Sequence, residues 1–216
     1  MRKLIILSAF VVAIALVSSF AKESLRSIYS RPATQWPKPF IDSGVQWTEL
    51  GVLPASPVEK NKDSLEHIIE LGKALFFDTR LSGSGKISCG TCHQPELNWT
   101  DGKEKSIGHD GAINKSNSPT IQNSWFYNRL FWDGRSTGLQ DQAFGPINSE
   151  TEMHSEMPEV ISKLRRVKQY REMFKKAFGD DFIEPDRMTT AIATFEKLSL
   201  AGRQDLMSFW RGIKMR

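Results

Sequence analysis

The chain has 216 residues, 39% hydrophobic and 10% aromatic, which suits one domain with appendages and excludes a disordered or collagen-like polymer. Lysine plus arginine number 29 against 25 for aspartate plus glutamate, and a formal charge of +4 that is dispersed along the chain makes no case for nucleic-acid binding. Two cysteines exclude a disulfide-rich scaffold, a four-cysteine iron–sulfur site and a cysteine-only zinc site.

Residues 1–21 have the form of a secretory signal. Arg2 and Lys3 precede an apolar run over 4–17, and Ser19-Phe20-Ala21 places small residues at the −3 and −1 positions of a cleavage site. The run is shorter than the ~20 residues that a membrane span needs, so cleavage after Ala21 is expected, with export to a periplasmic or cell-surface space. Residues 22–63 read as an irregular segment, because Arg31-Pro32, Trp36-Pro37 and Lys38-Pro39 interrupt any helix. Trp36, Phe40 and Trp47 are its candidates for strapping it to a domain over 64–200.

The first helical pattern spans 64–78, with Ser64 as N-cap and Leu65, Ile68, Ile69, Gly72, Leu75 and Phe76 at helical spacing. Ser82-Gly83-Ser84-Gly85 reads as a turn. Residues 95–155 are rich in glycine, asparagine, aspartate, serine and proline, yet hold Trp99, Trp125, Phe126, Tyr127, Phe131 and Trp132. Such aromatic content points to ordered loops wrapped around something large and apolar. One helix is expected over 158–178, with Pro158 in its first turn and Gly179 as its C-cap, and a last one over 185–200. No stretch alternates cleanly enough for a strand, so the fold class expected is all-α with long irregular loops. A basic tail, 201–216, closes the chain.

Cys89-Gly90-Thr91-Cys92-His93 is a Cys-x-x-Cys-His motif. Two thiols at this spacing add across the vinyl groups of one haem, and the adjacent histidine ligates the iron. Covalent attachment occurs outside the cytoplasm, in agreement with the signal. A thioredoxin-like reading lacks its βαβ context, a zinc site lacks two further ligands at suitable spacing, and a plain disulfide leaves His93 unexplained. The expected arrangement is cytochrome c-like, with the 64–78 and 185–200 helices crossing beside the haem. For the sixth iron ligand the sequence offers His109, Met153, Met157, His67 and His154.

Leu71-Gly72-Lys73-Ala74-Leu75-Phe76-Phe77-Asp78, Arg80-Leu81-Ser82 and Ile87-Ser88-Cys89 through His93 resemble the first haem domain of bacterial di-haem cytochrome c peroxidases and the related MauG-type enzymes. Ser106-Ile107-Gly108-His109, Asn117-Ser118-Pro119-Thr120, Phe131-Trp132-Asp133-Gly134-Arg135, Gln142-Ala143, Gly145-Pro146 and Glu152-Met153 continue the resemblance in order, from about residue 50 to about 200. It implies a peroxidatic haem with His93 as proximal ligand. His109 would be a distal histidine that binds iron in the resting state and swings away on activation, on a mobile lid over 102–110. Gln142 and Glu152 would flank the open iron position, Trp132 would lie on the electron route between haems, and Asn117 would ligate calcium. Peroxide reduction needs a base for the first proton and an acid for the leaving oxygen, and a carboxyl in a partly desolvated pocket serves both.

The family carries a second c-type haem domain, whereas this sequence holds one Cys-x-x-Cys-His. The expected cofactor is therefore one covalently bound haem c, with calcium as a further implied ion. The expected substrate is hydrogen peroxide. The implied partners are a small electron donor, a cytochrome c or cupredoxin, and a homodimer or separate haem partner. The competing readings are a mono-haem electron-transfer cytochrome without an open site and a shortened remnant of a di-haem peroxidase.

Overall fold

The computed structural model describes residues 23–47 and 54–198, which fall into two units divided at residue 50, each considered by itself. The expected signal over 1–21 and the tail over 201–216 lie outside the described residues. The described residues of the first unit include a short α-helix, α1 (Leu25–Tyr29), capped by the Ser24 hydroxyl, which accepts from the Ser27 N–H at 3.2 Å, and a 3-10 turn over Ala33–Gln35. Beyond it the backbone is irregular as the prolines dictate. The Tyr29 and Trp36 rings meet edge to face at 5.4 Å, and the Trp36 indole donates to the Arg31 carbonyl.

The second unit is built around two helices far apart in sequence. In α2 (Glu66–Phe76), Leu71, Leu75 and Phe76 are fully buried, each contributing roughly 1.5–3 kcal/mol. Its N-cap is Leu65 rather than Ser64, whose hydroxyl instead donates to the Asn61 carbonyl at 2.9 Å. Two short helices follow: α3 (Cys89–Cys92) and α4 (Leu139–Asn148). The chain then forms α5 (Met157–Arg165), α6 (Lys168–Phe178) and α7 (Pro185–Glu196). Helix α7 packs on α2 and α4, and α2 also packs on α6. Nearly every residue from Met188 to Glu196 is buried, which makes α7 the central helix. Gly72 permits the α2–α7 crossing, because a methyl group there would overlap the Ala191 carbonyl and sit 2.9 Å from the Phe195 Cβ. The expected crossing of the first and last helices is thus present, and the all-α class holds.

Two expectations are corrected. The 158–178 pattern is two helices, because Val167 is extended (φ −92°, ψ 111°) and breaks the α-conformation between Arg165 and Lys168. The apolar residues of this segment cover more than the ~100° stripe that one helix presents, and the break lets both parts face the core. Arg171 compensates at the break by donating to the Arg165 carbonyl at 2.6 Å. Helix α4 lies within the stretch expected to be loop. Leu139, Ala143 and Ile147 are buried at i, i+4 and i+8, while Pro146, close to its C-terminus, masked the pattern.

The remaining loops are shaped by three isolated antiparallel bridges, Gln94↔Thr100, Ile107↔Ile113 and Leu130↔Ser136. Each closes a tight excursion containing left-handed residues: Asn98 and Trp99, then Asp110 and Gly111, then Phe131 and Gly134. No helix among the described residues is long and apolar enough to cross a membrane.

Candidate haem site

Helix α3 presents the Cys-x-x-Cys-His motif. Ser88 and Thr91 form a reciprocal capping box, and the His93 N–H donates to the Cys89 carbonyl at 2.9 Å. Gly90 is required by close approach, since a side chain there would strike the Phe77 ring. Both cysteines are free thiols. Burial, reinforced by the Glu196 carboxylate, pushes the Cys89 thiol far above its ordinary range. Burial, then the Asp101 and Glu152 carboxylates, pushes Cys92 up to about 11.

The His93 imidazole is oriented by the chain. Its Nδ1 lies 3.1 Å from the Trp99 carbonyl. A carbonyl only accepts, so Nδ1 carries the hydrogen and Nε2 keeps the lone pair with which a histidine binds iron. Phe76, Trp99 and Phe195 pack around this mount. Phe76 lies 6.0 Å from Trp99 and 5.3 Å from Phe195, and Trp99 and Phe195 lie 6.1 Å apart. The Phe76 ring is 6.4 Å from the His93 ring. Burial is the main effect lowering the His93 pKa, which favours the neutral, ligating form.

Glu152 is half-buried, and desolvation raises its carboxyl above the usual range against the opposing pull of Arg135 and Ser149. Its carboxylate also helps to raise the Cys89 and Cys92 thiols. Its loop is locked to its neighbours through the main chain. The Met153 N–H donates to the Pro146 carbonyl at the end of α4, and the His109 N–H donates to the Glu152 carbonyl at 2.8 Å. A side chain at Gly108 would overlap the Thr151 carbonyl. Glu152 and His109, forty-three positions apart in the sequence numbering, are thereby neighbours.

The His109 ring stacks on His154 at 4.6 Å, its Nε2 lies 3.1 Å from an Asp110 carboxylate oxygen, and its Nδ1 is buried without a hydrogen-bond partner. Among the other sixth-ligand candidates, Met153 and Met157 are members of the hydrophobic core, and His67 is exposed on α2 beside Glu70. The 102–110 segment expected as a lid is held at its tip, where the Asn114 N–H donates to the Ser106 carbonyl and the Gly108 N–H to the Ala112 carbonyl.

Trp132 is 68% exposed, which sets it apart from a core tryptophan, and its indole donates to the Asn117 carbonyl at 3.1 Å. Asn117 is itself exposed. Gln142 is half-buried on α4, the helix to which the Glu152 loop is tied. Sequence reasoning assigned no role to Arg135, although it closed the Phe131–Arg135 motif. Its guanidinium stacks on the Phe131 ring at 3.4 Å, donates to both Asp133 oxygens at 2.9 Å, and is the main charge lowering the Glu152 pKa.

These residues fit a c-type haem. Two unbridged thiols one turn apart are followed by a histidine with its Nε2 lone pair available, an apolar aromatic wall backs that histidine, and the buried Nδ1 of His109 lacks a protein partner. Among the described residues no group of three or more His, Cys, Asp or Glu side chains is placed to hold a metal ion alone, and the isolated bridges supply no βαβ unit.

Comparison with known proteins agrees. The family model described as di-haem cytochrome c peroxidase matches residues 66–212. The methylamine utilization protein MauG of Methylophilus methylotrophus is 43% identical over 59% of this chain and 38% of its own length. A cytochrome c551 peroxidase of Nitrosomonas europaea is 42% identical over 73% of this chain and 48% of its own. The crystal structure of a MauG-like protein associated with microbial copper homeostasis superposes with a TM-score of 0.60 at 30% identity, covering 73% of this chain and 47% of that one. The chain thus spans less than half the length of each. Motif, helix crossing and family match converge, and the chain belongs to the di-haem cytochrome c peroxidase family.

Proposed function

We propose that this chain is a periplasmic, peroxidase-type c-haem domain that reduces hydrogen peroxide to water with electrons from a small redox protein, a cytochrome c or a cupredoxin. Cys89 and Cys92 would carry the thioether bonds, and His93 would be the proximal ligand. The haem, when bound, supplies the redox iron at which the O–O bond is cleaved. The chain's own groups handle protons and orientation. Glu152 takes the first peroxide proton on its carboxylate and returns it to the leaving oxygen, and partial burial favours the protonated form it needs for the second step. The Gln142 amide orients the peroxide from α4. Arg135 holds Glu152 from becoming a permanently protonated acid. His109 would hold the haem iron at rest, and Trp132, exposed on its bridge-closed loop, would receive electrons from a partner. Reduction of one peroxide takes two electrons, and a homodimer or a separate haem partner would supply the second of them. Calcium at Asn117 would require ligands from beyond this residue.

The observation that carries the reading is Glu152: a half-buried carboxyl, raised by desolvation, whose main-chain carbonyl accepts from the His109 N–H. The test is turnover of haem-loaded protein with peroxide and a reduced cytochrome. Glu152→Gln is expected to slow turnover by about 10²–10⁴-fold with haem content unchanged. Equal rates in the two proteins remove Glu152 from the mechanism.

A further inference from the structure

The segment Ser118-Pro119-Thr120, next to the residue implicated in calcium binding, runs along the proximal motif. The Ser118 side chain acts to lower the Cys92 pKa and the Pro119 carbonyl to raise that of His93, so both lie beside the motif. The Thr120 hydroxyl donates to the Asn98 carbonyl at 2.6 Å, across 22 residues of sequence, and accepts from the Gln122 N–H at 3.2 Å, which fixes the direction of its own hydrogen.

Asn98 and Trp99 are consecutive non-glycine residues in the left-handed region, with φ of 56° and 62°. Asparagine tolerates this conformation, but tryptophan rarely adopts it, and the pair persists only where its surroundings hold it. Inside the loop the Trp99 N–H donates to the Gln94 carbonyl at 2.8 Å, the Gln94 N–H to the Thr100 carbonyl at 3.0 Å, the Asn98 N–H to the Pro95 carbonyl at 3.2 Å, and the Thr100 N–H and hydroxyl to the Leu97 carbonyl at 3.3 and 2.9 Å. From outside the loop, the Trp99 ring packs on Phe76 and Phe195, and Thr120 supplies the hydrogen bond to the Asn98 carbonyl. The conformation aims the Trp99 carbonyl at His93 Nδ1.

We propose that Thr120 is a positioning residue for the proximal haem ligand: through the Asn98 carbonyl it holds the left-handed Asn98–Trp99 pair so that the Trp99 carbonyl accepts from His93 Nδ1. An Nδ1–H bond to a carbonyl makes the imidazole a stronger donor through Nε2, and a stronger donor stabilises ferric over ferrous iron. Loosening the clamp therefore raises the midpoint potential. The inference rests on the proposed ligation of iron by His93 and is independent of peroxide turnover.

The test is a spectroelectrochemical titration of haem-loaded full-length protein. Thr120→Val keeps the side-chain shape and removes the hydroxyl; Thr120→Ser keeps the hydroxyl. Poised at the wild-type midpoint, Thr120→Val is expected to show at least a threefold higher ratio of ferrous to ferric haem, and Thr120→Ser the wild-type ratio. A Thr120→Val protein with the wild-type ratio, or a Thr120→Ser protein shifted as far, overturns the proposal. If Thr120→Val loads no haem, Thr120→Ser decides: normal loading and the wild-type potential support the clamp, and failure alongside Thr120→Val overturns it. In the wild type, the His93 Nδ1–H proton resonance is expected to outlast transfer into D2O, and its immediate loss also contradicts the proposal. Failure of the peroxidase reading shows separately, as absent turnover with these potentials unaffected.

Discussion

The two sides of the site are built by different physics. On the side proposed as proximal, His93 is backed by Phe76 and Phe195, rings carried by the two helices that cross at the centre of the domain, and Phe76 is fully buried. On the side proposed as distal, His109 and Glu152 sit on loops joined by main-chain hydrogen bonds, and the apolar residues closing the His109 hairpin, Ile107 and Ile113, are 41% and 68% exposed. Segments with few buried apolar contacts open locally at lower free energy than a packed core. The ligand proposed to stay is mounted on the core, and the one proposed to move is mounted where opening is cheap.

This contrast can be broken in several places. The largest effect is expected from His93→Ala, which removes the proposed proximal ligand; haem retained per chain, read from the pyridine haemochrome spectrum, should fall to a small fraction of wild type. Next in size, Phe76→Ala should destabilise the domain by about 3–5 kcal/mol, whereas Ile113→Ala on the distal hairpin should stay within about 0.5 kcal/mol. Denaturant unfolding of both proteins checks this, and comparable losses would erase the distinction between the two sides. A smaller, pH-dependent effect belongs to Glu196, which is buried at the end of α7 near Cys89 and whose carboxyl burial pushes up to about 8. Its folded pKa exceeds the ordinary 4.5, so the folded state holds a proton that the unfolded state has released. The associated stability is full below pH 4.5 and is lost as pH rises through 8. The melting temperature of haem-loaded wild type should therefore fall across that window more steeply than that of Glu196→Gln, and parallel curves would contradict the assignment.

The frame of the molecule was legible in the sequence where apolar periodicity was long and unbroken. Leu71, Leu75 and Phe76 announced α2, and Met188, Ala191, Ile192 and Phe195 announced α7. Periodicity failed where its markers misled or were missing. Gly145-Pro146 near the end of α4 read as loop, and the break at Val167 carries neither glycine nor proline. The motif cysteines and His93 were legible because covalent haem attachment imposes a fixed spacing. The seat of His93 was not, because it depends on a tryptophan in a left-handed conformation that no composition rule anticipates. Arg135 lay inside a quoted motif, but its influence on Glu152 appears only once the 130–136 loop is closed by its bridge.

The central claim is that the distal position on the iron opens for substrate while His93 stays bound. Carbon monoxide binding to the reduced, haem-loaded chain tests it most directly. A peroxidase-type domain is expected to bind carbon monoxide on reduction, with the Soret shift of a carbonyl adduct. A reduced protein that stays six-coordinate and binds none would identify an electron carrier instead and contradict the claim.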